Sequence, residues 1–440
     1  MGTVVHRGGA VAVKQVDTIT VANTWATADT VTLTINGRDL VITIGADTTT
    51  ANVATIIKQA FNGDTQTGTG DHTVAPPIAD SGGQAIPEFT EIVAAVASSV
   101  VTLTANTAGV PFTLSVVEVT AGTGTAVEAT PTAATGPFYW DNADNWDTGA
   151  VPVDSDDIVF DQNSGSVKYV LDQGAVTPNS ISIREGWDGE IGLPQINDDA
   201  VGNPYVEYRA TALKIGNSGD ANPYTVTIDS SKLAGARFDF DTGQVTVNVF
   251  NTGPELDDGT PNVILKGSHA SNQVNVNRGS VGVAHLPGET AVVATLRVGF
   301  VVNVAGDSNV KCSDGVTLTT INQQGGFLEI ATATTLIDMT DGELTVLDGA
   351  HTAINVDGGI CLYRSTGTLT TLNAGNGGTA DFSRDMRDRT VTNCNVFAGA
   401  SVLDQFQTVT FTNGLDLQRC SLEDVTLKLG THFTITLSAV

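Results

Sequence analysis

Positive charge is scarce in this sequence: 20 Lys and Arg stand against 48 Asp and Glu, for a formal net charge of −28. A field of that sign repels phosphate backbones and anionic lipid surfaces, which excludes nucleic-acid and membrane binding as default functions. It suits a protein that must stay dispersed when concentrated or multivalent. Cysteine is limited to Cys312, Cys361, Cys394 and Cys420, and no CxxC pair exists. That removes zinc-knuckle and redox-motif readings and leaves core-filling thiols, or a bridge between neighbouring turns of a repeat. No long apolar run is present, and Met1 to Lys14 passes directly into a strand-like segment, so neither a transmembrane helix nor a signal peptide is expected. Such a chain would reach a cell exterior by assembly and lysis, by a non-classical route, or with a signal already removed. The six histidines are scattered singly, no HExxH or GxSxG motif occurs, and no Gly-rich loop precedes Lys-Ser or Lys-Thr. Nothing in these patterns supports an enzyme.

What is present points to strands. Charged residues are only 15% of the chain, and Thr, Asn, Ser and Gly stand where a helical protein would carry Lys, Glu and Arg. Thr and Val suit a pleated surface, while Asn and Gly supply bends. With 440 residues, 41% of them hydrophobic, the chain can bury the cores of two or three domains. After an N-terminal arm at 1–15, residues 16–130 read as a small α+β attachment domain. Val31, Leu33 and Ile35 alternate with Thr, Asn36-Gly37 supplies a tight turn, and Leu40, Ile42 and Ile44 continue on the return strand. Thr48 to Thr50 can cap a helix from about Ala51 to Phe61, whose Val53, Ile56, Ile57, Ala60 and Phe61 form one stripe. Strands are expected at Phe89–Ala95, Val100–Ala105 and Phe112–Val119, with Thr120–Thr135 a linker or a peripheral strand.

Residues 131–157 read as a linker and aromatic cap, and 158–440 as a parallel β-solenoid or β-helix, with β-sandwich domains as the rival architecture. Ile158-Val159-Phe160 opens a series of short apolar alternations that includes Tyr224–Ile228, Val245–Phe250, Val301–Val304, Val316–Ile321, Phe327–Ile330, Leu344–Leu347 and Phe433–Leu437. Gly326, Gly342, Gly359 and Gly378 recur at 16, 17 and 19 residues, each beside a short β segment. A unit of that length cannot bury its own apolar side, but stacking it on a neighbour gives a continuous interior. Asn277, Asn303, Asn322, Asn355 and Asn373 near strand ends could form ladders or turn bonds.

Trp140 and Trp146 are read as cap or first-rung core residues, with Trp187 a third large aromatic. Contact with a glycan is the functional alternative for all three. The acidic run that includes Asp154, Asp156 and Asp157 is read as a solvated loop, with a structural calcium as the alternative. No other cofactor is implied. Arg384, Arg387 and Arg389, interleaved with Asp385 and Asp388, suggest an internally paired turn or a subunit contact. Asp239 with Asp241, or Asp338 with Asp341, could serve as paired carboxylates in a glycan-cleaving groove, which would expose Trp187, Tyr205 or Tyr208.

Two resemblances follow from these segments. Val31–Gly37, the helix from Ala51, Phe89–Ala94 and Leu103–Phe112 together resemble a small domain of structural proteins from tailed bacteriophages and prophages. Trp140-Asp-Asn-Ala-Asp-Asn-Trp146, Val151-Pro152 and Asp156–Phe160 resemble the opening segment of bacterial surface and autotransporter-like β-solenoids. The first implies a structural protein of a virion and the second a secreted adhesin or passenger; a non-enzymatic virion component, either a capsid decoration protein or a tail fibre or spike, reconciles the two. Its partners would be other virion proteins and further copies of itself, with a homotrimer preferred, and its location the virion. A bacterial surface adhesin and a polysaccharide depolymerase are the alternatives.

Overall fold

The structure, a computed structural model, describes residues 2–63, 72–75, 87–193, 196–197, 205–206, 212–217, 223–300, 308–429 and 435–437. A small N-terminal α+β region is followed by a large, mostly parallel β-sheet. The first strand, β1 (Thr3–Val5), belongs to the large sheet. It pairs in parallel with Asp157–Phe160, placing Val4 beside Ile158. The residues expected as an N-terminal arm thus supply a strand, and the α+β region is an insertion between two neighbouring strands of one sheet. At its stem the outgoing and returning chains run side by side, with Val13 N–H donating to the Thr135 carbonyl at 2.8 Å.

The insertion contains two antiparallel four-stranded sheets. One is formed by β2 (Val16–Ala22) with β6 (Ile92–Ala97), β7 (Val100–Ala105) and β9 (Thr125–Thr132); the other by β3 (Thr30–Ile35), β4 (Arg38–Ile44), β5 (His72–Ala75) and β8 (Leu114–Val119). Asn36 and Gly37 both have positive φ, 48° and 82°, the twist a two-residue hairpin turn requires. Helix α1 (Thr50–Asn62) starts where Thr49 Oγ1 accepts the Asn52 N–H and stops at the left-handed Gly63. Its stripe of Val53, Ile56, Ile57, Ala60 and Phe61 is buried with Leu33, Leu40, Ile42 and Leu103 in one core. One expected strand is corrected: Pro87–Thr90 is a short helix, α2, and the strand begins only at Ile92. Phe89 points into the core instead, edge-on to Phe61 at 5.9 Å, and Pro87 occupies the first helical position, where a missing N–H costs nothing.

The large sheet has 26 strands, and the alternating pairing of its members defines two parallel ladders. One ladder aligns Val4, Ile158, Ile181, Val226, Val247, Val274, Leu296, Ile321, Ile337, Ile354, Leu372, Cys394 and Leu415 in a single buried column. The second aligns Phe238, Leu265, Val283, Cys312, Ile330, Val346 and Tyr363. Both columns belong to one hydrophobic cluster. The separate segments expected at 316–321 and 327–330 are one strand, Val316–Ile330, whose register breaks at Gln323–Phe327 as it passes from one ladder to the other. Gly326, Gly342, Gly359 and Gly378 stand immediately before the aligned residues Phe327, Glu343, Ile360 and Thr379, so the glycine repeat is the bend itself. A Cβ on Gly342 would lie 2.5 Å from the Gly326 carbonyl oxygen, and its φ of 93° favours glycine independently.

The strands are held on their outer faces by a polar column. Asn275 donates to Asn248 at 2.8 Å and Arg297 donates to Asn275 at 3.0 Å. Further along, Asn355 donates to the Asp338 carboxylate, Asn373 to Asn355 at 2.6 Å and Asn395 to Asn373 at 2.7 Å. Asn355 and Asn373 thus stand in a bonded ladder as the sequence suggested, and Asn322 is aligned between Arg297 and Asp338, whereas Asn277 is buried and Asn303 lies outside the described residues, as do Val301–Val304.

Candidate functional site

Strand Gly235–Asp239 alternates Ala236 and Phe238 inward with Arg237 and Asp239 outward, and Val263–Lys266 beside it turns Ile264 and Lys266 outward. Ile264 is nevertheless only 3% exposed. The segment after Val283 folds back over this face. Ala284 has positive φ, and the turn closes where Leu286 N–H donates to the Glu289 carboxylate at 3.0 Å and Glu289 N–H to the Leu286 carbonyl at 3.1 Å. Gly282, aligned with Ile264, makes room for the fold-back, because a Cβ there would meet the His285 Cβ at 2.8 Å.

The overhang creates a cleft of about 400 Å³ lined by Arg237, Asp239, Asp241, Lys266 and Glu289, with Leu193, Ile264, Leu286 and Pro287 as apolar wall. Lys266 Nζ lies 3.5 Å from Asp239 and 3.9 Å from Glu289, tying strand to overhang. Burial raises Asp239 above the usual carboxylate range and repulsion from Asp241 adds to this, against the attraction of Lys266. Burial lowers Arg237, opposed by the fields of Glu289, Asp258 and Glu190. Its Nη1 is enclosed and has no hydrogen-bond partner, and the guanidinium forms no ion pair among the described residues. The cleft therefore offers a guanidinium without an ion pair, several carboxylate acceptors and an apolar wall.

Asp239 and Asp241 share this cleft, as paired carboxylates would have to. Asp338 and Asp341 do not act together: Asp338 is bound to Asn355 in the polar column, and Asp341 accepts the Gly342 N–H. Sequence reasoning missed Arg237, Lys266 and Glu289. Opposite charges on aligned strands, Lys266 opposite Asp239, were the available signal, but only the pairing register reveals it.

The other expected residues lie elsewhere. Trp140, Trp146 and Trp187 are buried in the core of the parallel region. Trp140 and Trp146 meet edge-on at 4.9 Å, and Phe160 lies between Trp146 and Trp187 at 6.4 and 5.2 Å. Their N–H groups are directed inward too, Trp146 donating to the Trp140 carbonyl and Trp187 to that of Ser164. Enclosed rings leave no face for a sugar, which corrects the glycan-contact alternative for these three. Tyr208 and the side chain of Tyr205 lie outside the described residues.

Asp154, Asp156 and Asp157 are turn acceptors with separate partners. Asp154 accepts the Thr177 N–H, Asp156 those of Gly2 and Val153, and Asp157 bonds to Asn179 and Ser180. Among the described residues no group of three or more acidic, His or Cys side chains converges as a metal site. Arg387 is paired with Asp385 at 2.6 Å and Arg384 with Asp381 at 3.2 Å, both exposed. Arg389 is buried and donates to the carbonyls of Asp385 and Arg387 and to Thr408 Oγ1. All three arginines are thus bonded within the turn, Arg389 from a buried position and Arg384 and Arg387 from exposed ones. The cysteines are free, with Cys312, Cys361 and Cys394 buried in the core and burial pushing each thiol up to about 12.

No family model matches this sequence, and no curated protein matches it significantly. No helix among the described residues is long and apolar enough to cross a membrane.

Proposed function

We propose that the two parallel ladders are the faces of a closed β-solenoid and that the protein is a non-enzymatic structural component of a tailed-phage virion, a capsid decoration protein or a tail fibre or spike. The observation that carries this reading is the continuous parallel pairing from Val4 to Leu415, whose inward residues join one apolar cluster and whose outward column is bonded by amides over part of its length. Fourteen strands stacked in the first ladder at a spacing of about 4.8 Å make a body on the order of 60 Å long. That is the form of a connector or projection. The insertion is rooted in the first strands of the stack, where it is placed to attach the solenoid, and the acidic surface keeps dense arrays dispersed. Self-association, as a trimer, would suit either location.

Electron microscopy of the native virion, with this chain placed in the density, tests the assignment. The expected result is an elongated subunit joined to the particle through the α+β region. Solution scattering and mass measurement test the shape separately, and a compact monomer would sink the fibre version. An adhesin reading would gain if the chain were found on the host cell surface in uninfected cultures.

A further inference from the structure

We infer that the cleft beneath the Leu286–Glu289 turn is a binding site for a carboxylate-bearing saccharide, with Arg237 receiving the carboxylate. The inference goes beyond the structural reading and does not depend on where the protein resides. Three features carry it.

The cleft has the size and shape for such a ligand. Its floor comes from neighbouring levels of the parallel region, Ala212 beside Arg237 to Asp241 and then Ile264 to Gly267, and Leu286 to Thr290 form the overhang. At the spacing of parallel strands the floor runs about 10 Å along the stack, comparable to two linked sugar rings. Its volume of about 400 Å³ lies within the usual range for small-ligand sites. The lining is also amphipathic in the way a sugar is, since Ile264, Leu286 and Pro287 can face ring C–H groups while Asp239 and Asp241 accept from hydroxyls.

Charge then selects the substituent. Lys266 is committed to Asp239 and Glu289, whereas Arg237, which lines the cleft, has no ion-pair partner among the described residues. The planar fork of a guanidinium matches a carboxylate. A phosphate would bring nearly two negative charges against Asp239, Asp241 and Glu289. A uronate brings one, on a neutral hydroxylated frame.

The test uses the full chain and a trimer of galacturonate as probe, with the neutral trimer of glucose for comparison, both titrated calorimetrically at low salt. The uronate is expected to bind, with the neutral trimer at least about tenfold weaker, and Arg237→Gln is expected to lower uronate affinity about tenfold or more while Arg237→Lys retains part of it. Leu286→Glu, on the cleft wall, should also weaken binding and protects the test if Arg237→Gln fails to fold. Absence of uronate binding would overturn the inference. So would equal affinity for both trimers, or uronate affinity unchanged in a folded Arg237→Gln chain.

Discussion

In the α+β insertion, Leu33 is buried at the centre of one closed cluster where two antiparallel sheets and a helix converge. In the parallel region, Ile337 is equally buried but stands in a column, with Ile321 on one side and Ile354 on the other. The first arrangement shares a defect among every element of the domain. The second confines it to neighbouring levels, as in other stacked architectures whose stability is a sum of local and nearest-neighbour contributions. The two cores share no residue. They should therefore unfold in separate transitions, which makes the comparison breakable by mutation.

The largest expected effect is at the bend. Gly342→Val would force a side chain against the Gly326 carbonyl in a backbone conformation that β-branched residues avoid. A loss of more than about 4 kcal/mol is expected in the parallel region, with the transition of the α+β insertion unmoved. Differential scanning calorimetry reads both. A single merged transition in the parent protein, or a shared shift in the variant, would count against independent cores.

Next come matched cavities. Leu33→Ala and Ile337→Ala should each cost about 2–5 kcal/mol, because each removes a fully buried branched chain. Each should lower only its own transition. Hydrogen exchange adds a finer reading: for Ile337→Ala, protection should fall most in 316–330 and 351–356 and least at β1.

The stem between the regions has its own signature. His6 is fully buried against Trp146 and Phe160, and burial lowers its pKa to about 4, outweighing the raising influence of the Gly165 backbone. The unfolded chain has the ordinary value near 6.5, so it binds the proton first as pH falls. The stabilising effect of a neutral His6 is thus fully present above about 6.5 and declines towards pH 4, by about 3 kcal/mol. His351, likewise lowered to about 4 by burial, adds a similar slope within the stack. His6→Leu should flatten the pH dependence of exchange at Thr3–Val5 while leaving that at His351–Val356. Equal flattening at both would show that the first level and the later levels of the stack are not separable.

Local features were legible in sequence because their causes are local. Asn36-Gly37 specifies its own turn, Thr49 its own cap, and the recurrence of Gly326, Gly342 and Gly359 reflects one steric demand repeated at each bend. Features made by distant chain were not. Nothing within Met1–Gln15 reveals that Thr3–Val5 must pair with Asp157–Phe160, and Phe89 satisfies strand propensity while Phe61, brought near by folding, holds it in a helical turn. The cleft was half visible: Asp239 and Asp241 stood out as neighbours, but Arg237 and Glu289 join them only once the fold-back over Ile264 exists. The indoles show the converse error. A run of aromatics announces either a core or a platform, and only burial decides.

The smallest effect is the one that tests whether levels of the stack communicate through their outer face. Every donor in the polar column points toward the preceding level: Asn395 to Asn373, Asn373 to Asn355, and Asn355 to the Asp338 carboxylate. A run of amides ending on an anion polarises in one sense, so each bond strengthens the next. Asn355→Ala breaks the run in the middle and should cost about 1 kcal/mol, against almost nothing for Thr32→Ala at an outward position of β3. If the column acts as a unit, Asn355→Ala and Asn395→Ala, which remove no bond in common, should together cost less than the sum of the two alone, since each weakens the bonds the other removes. Strict additivity would mean that the column is a set of independent surface contacts and that only the apolar interior couples one level to the next.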